Sequence, residues 1–290
     1  AEEVCESLPA DLRRHAMSAT SAPSTRFAHG LVVPEAAAPI PWVNFRVAIL
    51  KGLWPSSRLL GIHVNAGEGG TSNLASMDQG VVTATLVALR MAAAHGATPH
   101  LFLTHAATTE IYTAAEIASL ARAFRYAGHT HPYAVSAIKG LLGHSMGAAS
   151  AVDLVIAVES LLEQSAPGLF NFHEGDLDPR FVSGPPDLVE AARHFQFTAG
   201  PVPGPIDSIL ITSEGFLSAD AAAVLGRFPQ EVGEAVEMLE GYGFRAPEIA
   251  EWRARAPENR ARAEELEGRL RGGMSRREIV LTMGFRPGPG

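Results

Sequence analysis

The chain predicts a layered α/β fold in which helices cover a buried sheet. Three observations carry that reading. Short runs rich in Leu, Ile and Val read as strands at residues 58–64, 99–104, 134–138 and 208–213. Longer stretches at 76–95, 113–126 and 145–164 have helical length and apolar residues at helical spacing. The composition, 47% hydrophobic over 290 residues with a mean hydropathy of +0.10, suits a large buried core.

Taken in order, residues 1–28 are mixed, with a short helical candidate at 9–17 before a Ser/Thr/Ala/Pro stretch. Residues 27–38 read as a loop leading into a short strand. The 58–64 strand is followed by the loop 65–73, whose glycines lack the G-x-G-x-x-G pattern of a phosphate cradle. Helix 76–95 carries Val81, Val82, Leu86, Leu89 and Met91, and Gly96 is placed to cap it. Strand 99–104 delivers His105, and helix 113–126 ends at Gly128. Strand 134–138 runs into Lys139, a glycine-rich turn through Gly140 and Gly143, then His144 and a helix starting at about Ser145. A histidine at a helix N-terminus faces the positive end of the dipole, so His144 is expected to be neutral near pH 7 and able to donate one hydrogen bond. Small residues, Gly147 to Ala151, open this helix, and its remainder is apolar on nearly every face, as in a buried helix. Residues 168–179 read as a loop, 208–213 as a strand, Gly215 and Phe216 as a turn, and 221–225 as a closing antiparallel strand. From Arg227 the composition changes to Glu, Arg and Ala, with Pro229, Pro247 and Pro257 punctuating short helices and a capping box at Ser275 to Glu278. The expected plan is therefore an N-terminal segment 1–28, a main α/β region 29–226 and a helical Arg/Glu-rich tail 227–290.

Several function classes are excluded. A net charge of −8 and a pI of about 5.8 argue against nucleic acid as partner. No apolar run reaches transmembrane length, so no membrane association is expected. The single cysteine, Cys5, rules out an internal disulfide framework and fits a reducing, cytoplasmic setting; no secretory signal is visible, although the chain starts at Ala1. Eleven histidines include His129-x-His131 and His95, His100 and His105 spaced by five, but no carboxylate or cysteine completes a metal-ligand spacing, so no metal is expected. The Gly-x-Ser-x-Gly turn of hydrolases is absent.

Lys139, Gly143, His144, Gly147, Ala148 and Ala149 match in type and spacing the end of the catalytic region of the β-ketoacyl synthases, which the chain resembles. His105, Thr109 and Glu116 fall where that family has His-Gly-Thr-Gly-Thr and a following acidic residue, Asn171 matches a family asparagine, and Ser213, Gly215 and Phe216 match a glycine-rich loop. Ala106, Ala107, Thr108, Thr113, Thr212, Glu214, Leu217 and Ser218 depart from the family pattern. The resemblance covers roughly residues 27–226. It implies the C-terminal half of a thiolase-like layered fold and decarboxylative condensation of acyl and malonyl thioesters in fatty-acid or polyketide synthesis. His105 and His144 would donate to the thioester carbonyl, Lys139 would hold the network together, and Glu116 would pair with Lys139. Thr109 and Phe216 would bind substrate, Phe216 as a gate. The resemblance implies no permanently bound cofactor; the phosphopantetheine arm of an acyl carrier protein would bring the substrate.

The family's nucleophile is a cysteine at a helix N-terminus in the other half of the fold. Cys5 has no strand before it, and Val4 and Glu6 do not resemble the nucleophile turn. The expected partners are therefore a polypeptide carrying the nucleophile half, and an acyl carrier protein. The apolar face of helix 145–164 would dock that polypeptide, and the chain alone is expected to be poorly soluble. The alternative is a non-catalytic scaffold or chain-length-type partner subunit, which the departures at Ala107, Leu217 and Ser218 favour. The arginines between Trp252 and Arg277 form either a solvated helical surface or a docking face for an acidic carrier.

Overall fold

The computed structural model describes residues 38, 40–66, 79–105, 110–170, 172, 177–215 and 219–271. Two compact units emerge, one built on Ser57–Arg227 and the other on Pro41–Ser56 together with the chain from Phe228. Helix α1 (Phe45–Leu50) belongs to the second unit. The first unit runs β1 (Ser57–Ala66), α2 (Gln79–Ala93), β2 (Leu101–Leu103), α3 (Glu110–Ala127), β3 (Tyr133–Ser136), α4 (Lys139–Leu142), a 3-10 turn (Met146–Ala148), α5 (Ala149–Glu163) and β4 (Ser165–Ala166). It continues with α6 (Pro179–Ser183), α7 (Pro186–Ala192), β5 (Phe195–Phe197), β6 (Val202–Pro203), β7 (Ser208–Gly215) and β8 (Ala219–Arg227). The second unit then adds α8 (Val232–Gly241) and α9 (Ala246–Arg271).

The four expected strands and the closing one all lie in one six-stranded sheet of order β1-β8-β7-β2-β3-β5. β1, β8 and β7 are antiparallel neighbours, while β7, β2, β3 and β5 run parallel. Successive side chains of a strand point to opposite faces, which divides the core in two. Phe102, Leu210 and Val224 join Ala84, Ala88 and Leu89 of α2 and Leu120 and Phe124 of α3 on one face. Leu101, Leu103, Ile209, Ile211 and Leu225 meet Ala157 and Leu161 of α5 on the other. Burying each large side chain here stabilises by about 1.5–3 kcal/mol, so this alternation selects the register. Close approach of α2 to β1 depends on Gly61, where an added Cβ would lie 2.2 Å from the Ala88 carbonyl oxygen.

Differences from expectation are concentrated around the Lys139 to Ala149 stretch. Lys139 opens the short helix α4 instead of preceding a turn, and α5 begins at Ala149 instead of near Ser145. Two left-handed residues explain the delay: Gly143 has φ 78 and Met146 φ 49, and neither value continues a right-handed helix.

In the second unit, Ile49, Phe228, Leu239, Trp252 and Ala256 form a core, with Phe45 and Trp54 against it. Trp252 Nε1–H donates to the Leu53 carbonyl at 2.9 Å, and Asn259 Nδ2–H to the Gly52 carbonyl at 2.8 Å. Residues 41–56 therefore pack with the C-terminal helices, although sequence order placed them in the main region. The expected short helices after residue 245 are one continuous helix, α9, with Pro257 inside it. Proline there lacks an N–H for the Arg253 carbonyl, a loss a helix anchored by Trp252 and Asn259 tolerates. The capping box at Ser275 to Glu278 lies outside the described residues.

Candidate active site

Parallel strands β2, β3 and β7 bring their carboxyl ends together, and the site is assembled there. His105 follows β2 by one residue, after Thr104, whose N–H donates to the Ser136 carbonyl at the end of β3 at 3.1 Å. Glu116 reaches the same spot from α3. It accepts from the Thr104 hydroxyl at 2.5 Å, the His105 N–H at 2.7 Å and the Thr212 hydroxyl at 2.8 Å. Thr212, on β7, also accepts from the His105 N–H at 3.3 Å. Three elements thus converge on one buried carboxylate, which fixes the backbone that carries the His105 ring.

Lys139 is buried at 2% exposure, and its Nζ donates to Asp153 Oδ2 at 2.6 Å, with Asp153 at 1%. The expected partner, Glu116, is committed to the Thr104, His105 and Thr212 donors. Asp153, one turn into α5, takes the lysine instead. Sequence reasoning missed Asp153, although the signal was visible: it is the lone charged residue between Ala148 and Val158 in an otherwise apolar stretch. Burial pushes the Asp153 carboxyl up from its ordinary value, against the opposing attraction of Lys139. Desolvation is thus the larger effect in this pair.

The two imidazoles meet in front of that pair. His105 Nε2 and His144 Nε2 are 3.2 Å apart, and the rings are edge to face with centroids at 4.9 Å. The Met146 N–H donates to His144 Nδ1 at 3.0 Å, so the neutral His144 ring carries its proton on Nε2. Burial first, and then the charge of Lys139, hold both imidazoles below their ordinary value, His105 well below it. His144 is therefore neutral near pH 7 as expected, but burial is the main cause, since α5 starts five residues later. The Ser150 hydroxyl of α5 donates to the Ser213 hydroxyl of β7 at 2.6 Å.

His105, His144, Lys139 and Glu116 therefore come together, joined by Asp153 and Thr212. Thr109 and Phe216, expected to bind substrate, lie outside the described residues, as do Cys5, Ala107 and Asn171. Among the described residues no group of three or more His, Cys, Asp or Glu is arranged to hold a metal. His129 and His131 stack with Tyr133 and His100 at the opposite ends of β2 and β3, where His129 Nδ1 bonds the Tyr133 hydroxyl and His131 Nε2 the Pro99 carbonyl. No described helix is long and apolar enough to cross a membrane.

A mixed sheet covered by helices on both faces, with polar side chains gathered at the carboxyl ends of its parallel strands, is a thiolase-like layered fold. Residues 56–173 match the family model for the β-ketoacyl synthase C-terminal domain. The ishigamide ketosynthase/chain length factor is similar in structure, with a TM-score of 0.59 and 20% identity over 72% of this chain and 47% of that one. The ketosynthase FabY from P. aeruginosa has a TM-score of 0.60 and 18% identity over 77% of this chain and 33% of its own. A type II polyketide synthase ketosynthase, in complex with its acyl-carrier protein and bound to the hexaketide, has a TM-score of 0.55 and 15% identity over 72% and 48%. The chain thus spans half or less of these ketosynthases. No curated protein matches it in sequence.

Proposed function

We propose that this chain is the histidine-bearing subunit of a heteromeric β-ketoacyl synthase and acts on malonyl thioesters. The carrying observation is the 3.2 Å approach of the two imidazole Nε2 atoms over a buried lysine. A thioester carbonyl oxygen placed between them can accept two hydrogen bonds. The malonyl carboxylate then leaves as carbon dioxide, and the electrons of the broken C–C bond pass to the carbonyl oxygen as an enolate. Donors aimed at that oxygen act where charge develops, and dry surroundings strengthen them. The enolate carbon next attacks an acyl thioester held on a cysteine of another polypeptide, forming the new C–C bond and releasing the cysteine thiolate. Buried Lys139 contributes by keeping both rings neutral, and the Glu116 cluster by holding the His105 backbone. An acyl carrier protein would deliver both thioesters on its phosphopantetheine arm, for which Thr109 and Phe216 are the contacts the sequence offers.

Exposed apolar side chains support a partner polypeptide. Val155 and Leu162 of α5 are each 38% exposed, and Ile62 and Val64 of β1 are 47% and 66% exposed. Covering them would remove apolar surface from water. Carrier docking on the arginines of α9 has less support, because Arg255 pairs with Glu251 and Arg260 with Glu264 along the helix itself.

Decarboxylation needs no cysteine, so malonyl-N-acetylcysteamine tests the reading directly. The chain, co-expressed with whatever co-purifies from its host, should release acetyl-N-acetylcysteamine and carbon dioxide. His105→Ala and His144→Ala should each lower the rate by about 10²–10³-fold, the cost of one oxyanion donor. Rates unchanged in both variants would refute the proposal. The second reading is a non-catalytic, chain-length-type subunit. It is favoured by the similarity to a ketosynthase/chain length factor and by Ala107, Leu217 and Ser218 in the two substrate loops. Stable assembly with a partner, combined with no histidine-dependent decarboxylation, would establish it.

A further inference from the structure

We infer that the two imidazoles rest as unequal tautomers, with His144 the standing donor and His105 its acceptor. A carbonyl oxygen then receives two donors only after His105 moves its proton from Nδ1 to Nε2. The inference rests on the proposed reading for the ligand step alone; the resting tautomers follow from the chain's own geometry.

His144 Nδ1 accepts from the Met146 N–H at 3.0 Å, so its proton sits on Nε2. That Nε2–H faces His105 Nε2 at 3.2 Å, and a hydrogen bond there requires a bare nitrogen on His105. The neutral His105 ring must therefore carry its proton on Nδ1. That atom is buried, and no described group lies within hydrogen-bond reach of it. The Met146 N–H is presented by a left-handed backbone, φ 49, which an unbranched non-glycine residue adopts only at a cost. A strained backbone thus fixes the tautomer of His144, while that of His105 is set only by its contact with His144.

An oxygen about 2.8 Å from both Nε2 atoms fits the observed separation without ring movement. Only protons must rearrange. The His144 Nε2–H turns from His105 to the incoming oxygen. His105 takes a proton from water at Nε2 and, when local opening lets water reach the buried Nδ1, returns the Nδ1 proton to it, so the charge and proton count of the site are unchanged. The intermediate is an imidazolium, which burial and the Lys139 charge both oppose. The resting pair is therefore a closed state that an oxygen acceptor must open, and His105 is the ring that switches.

The test is nitrogen NMR on 15N-histidine-labelled chain, with its co-purified partner where solubility needs it. Signals are assigned by His105→Gln and His144→Gln. Without ligand, His144 should be protonated at Nε2 and His105 at Nδ1. Saturating S-acetyl-N-acetylcysteamine should move the His105 proton to Nε2 and leave His144 unchanged. A His105 already protonated at Nε2 without the probe, or still at Nδ1 when the probe saturates, would overturn the inference. The malonyl-N-acetylcysteamine rate of the alanine variants separates this outcome from failure of the functional reading. Those variants can leave decarboxylation untouched while the ligand-free spectrum still shows the unequal pair.

Discussion

Replacing Asp153 by asparagine keeps the side-chain size and leaves the Lys139 ammonium without its carboxylate, in a site where neither residue exceeds 2% exposure. An ammonium so buried has no route to water without local opening. Breaking a buried pair at one partner costs about 3–5 kcal/mol, against about 5–15 kcal/mol of stability for an ordinary domain. With a urea dependence of about 2 kcal/mol per M, the unfolding midpoint should fall by about 1.5–2.5 M. Far-UV circular dichroism follows the helices and strands of both units. Tryptophan fluorescence provides an internal control, because all three tryptophans, Trp42, Trp54 and Trp252, lie in the helical unit. The double variant Lys139→Met, Asp153→Leu removes both charges and should recover most of the loss, since the desolvation cost disappears with the attraction. pH adds a second measure. The folded Asp153 carboxyl titrates above its unfolded value, so its contribution is present below the unfolded pKa and lost as pH rises through the folded one. The native chain should show that loss and the double variant should not. A midpoint shift below about 0.5 M for Asp153→Asn would mean the lysine finds water, and the buried network would not be what holds the rings.

Five histidines, His100, His105, His129, His144 and His194, are held below the ordinary imidazole value, each chiefly by burial. Their stabilising contribution is present above the unfolded value of about 6.5 and lost as pH falls from there through the lower folded values, so the thermal midpoint should start to drop between pH 7.5 and 5.5. Thr212→Val removes a hydroxyl that serves both Glu116 and the His105 N–H, and should cost about 1–3 kcal/mol in urea unfolding, with Thr212→Ser recovering most of it. Gly61→Ala drives a Cβ to 2.2 Å from the Ala88 carbonyl and should cost about 1–3 kcal/mol, read as a lower thermal midpoint.

Much of the sheet was legible because its central strands are buried on both faces and read as continuous apolar runs. Leu101 to Leu103 and Ser208 to Ile211 could hardly be anything else. His105 was legible at the end of β2, and Lys139 and His144 through the glycine-spaced pattern that follows β3. Asp153 was hidden by its surroundings, since an isolated carboxylate on an apolar helix gives no hint of which cation it meets. The partner of Glu116 was misjudged for the same reason: pairing by charge sign alone overlooks hydroxyl and backbone donors, three of which here reach the carboxylate. The start of α5 was placed too early because small residues after His144 have high helix propensity, and the left-handed Met146 leaves no trace in composition. Residues 41–56 gave no periodic signal strong enough to assign. Their place depends on aromatic partners nearly two hundred residues away, such as Phe228 against Phe45.

The pairing of Ser57 with Arg227 across β1 and β8 puts the start and end of the sheet unit side by side. Between Ser56 and Phe228 the chain leaves the helical unit, builds the whole sheet, and comes back beside its own departure point. During synthesis, α1 therefore leaves the ribosome long before the helices that bury Phe45 and Ile49 exist. The sheet unit needs nothing made later than Arg227 and can close first. Stop codons or stalls after residue 227 should then yield a folded sheet with a dangling, sticky 41–56 segment, whereas a stall before β7 should leave β2 without a neighbour on one side.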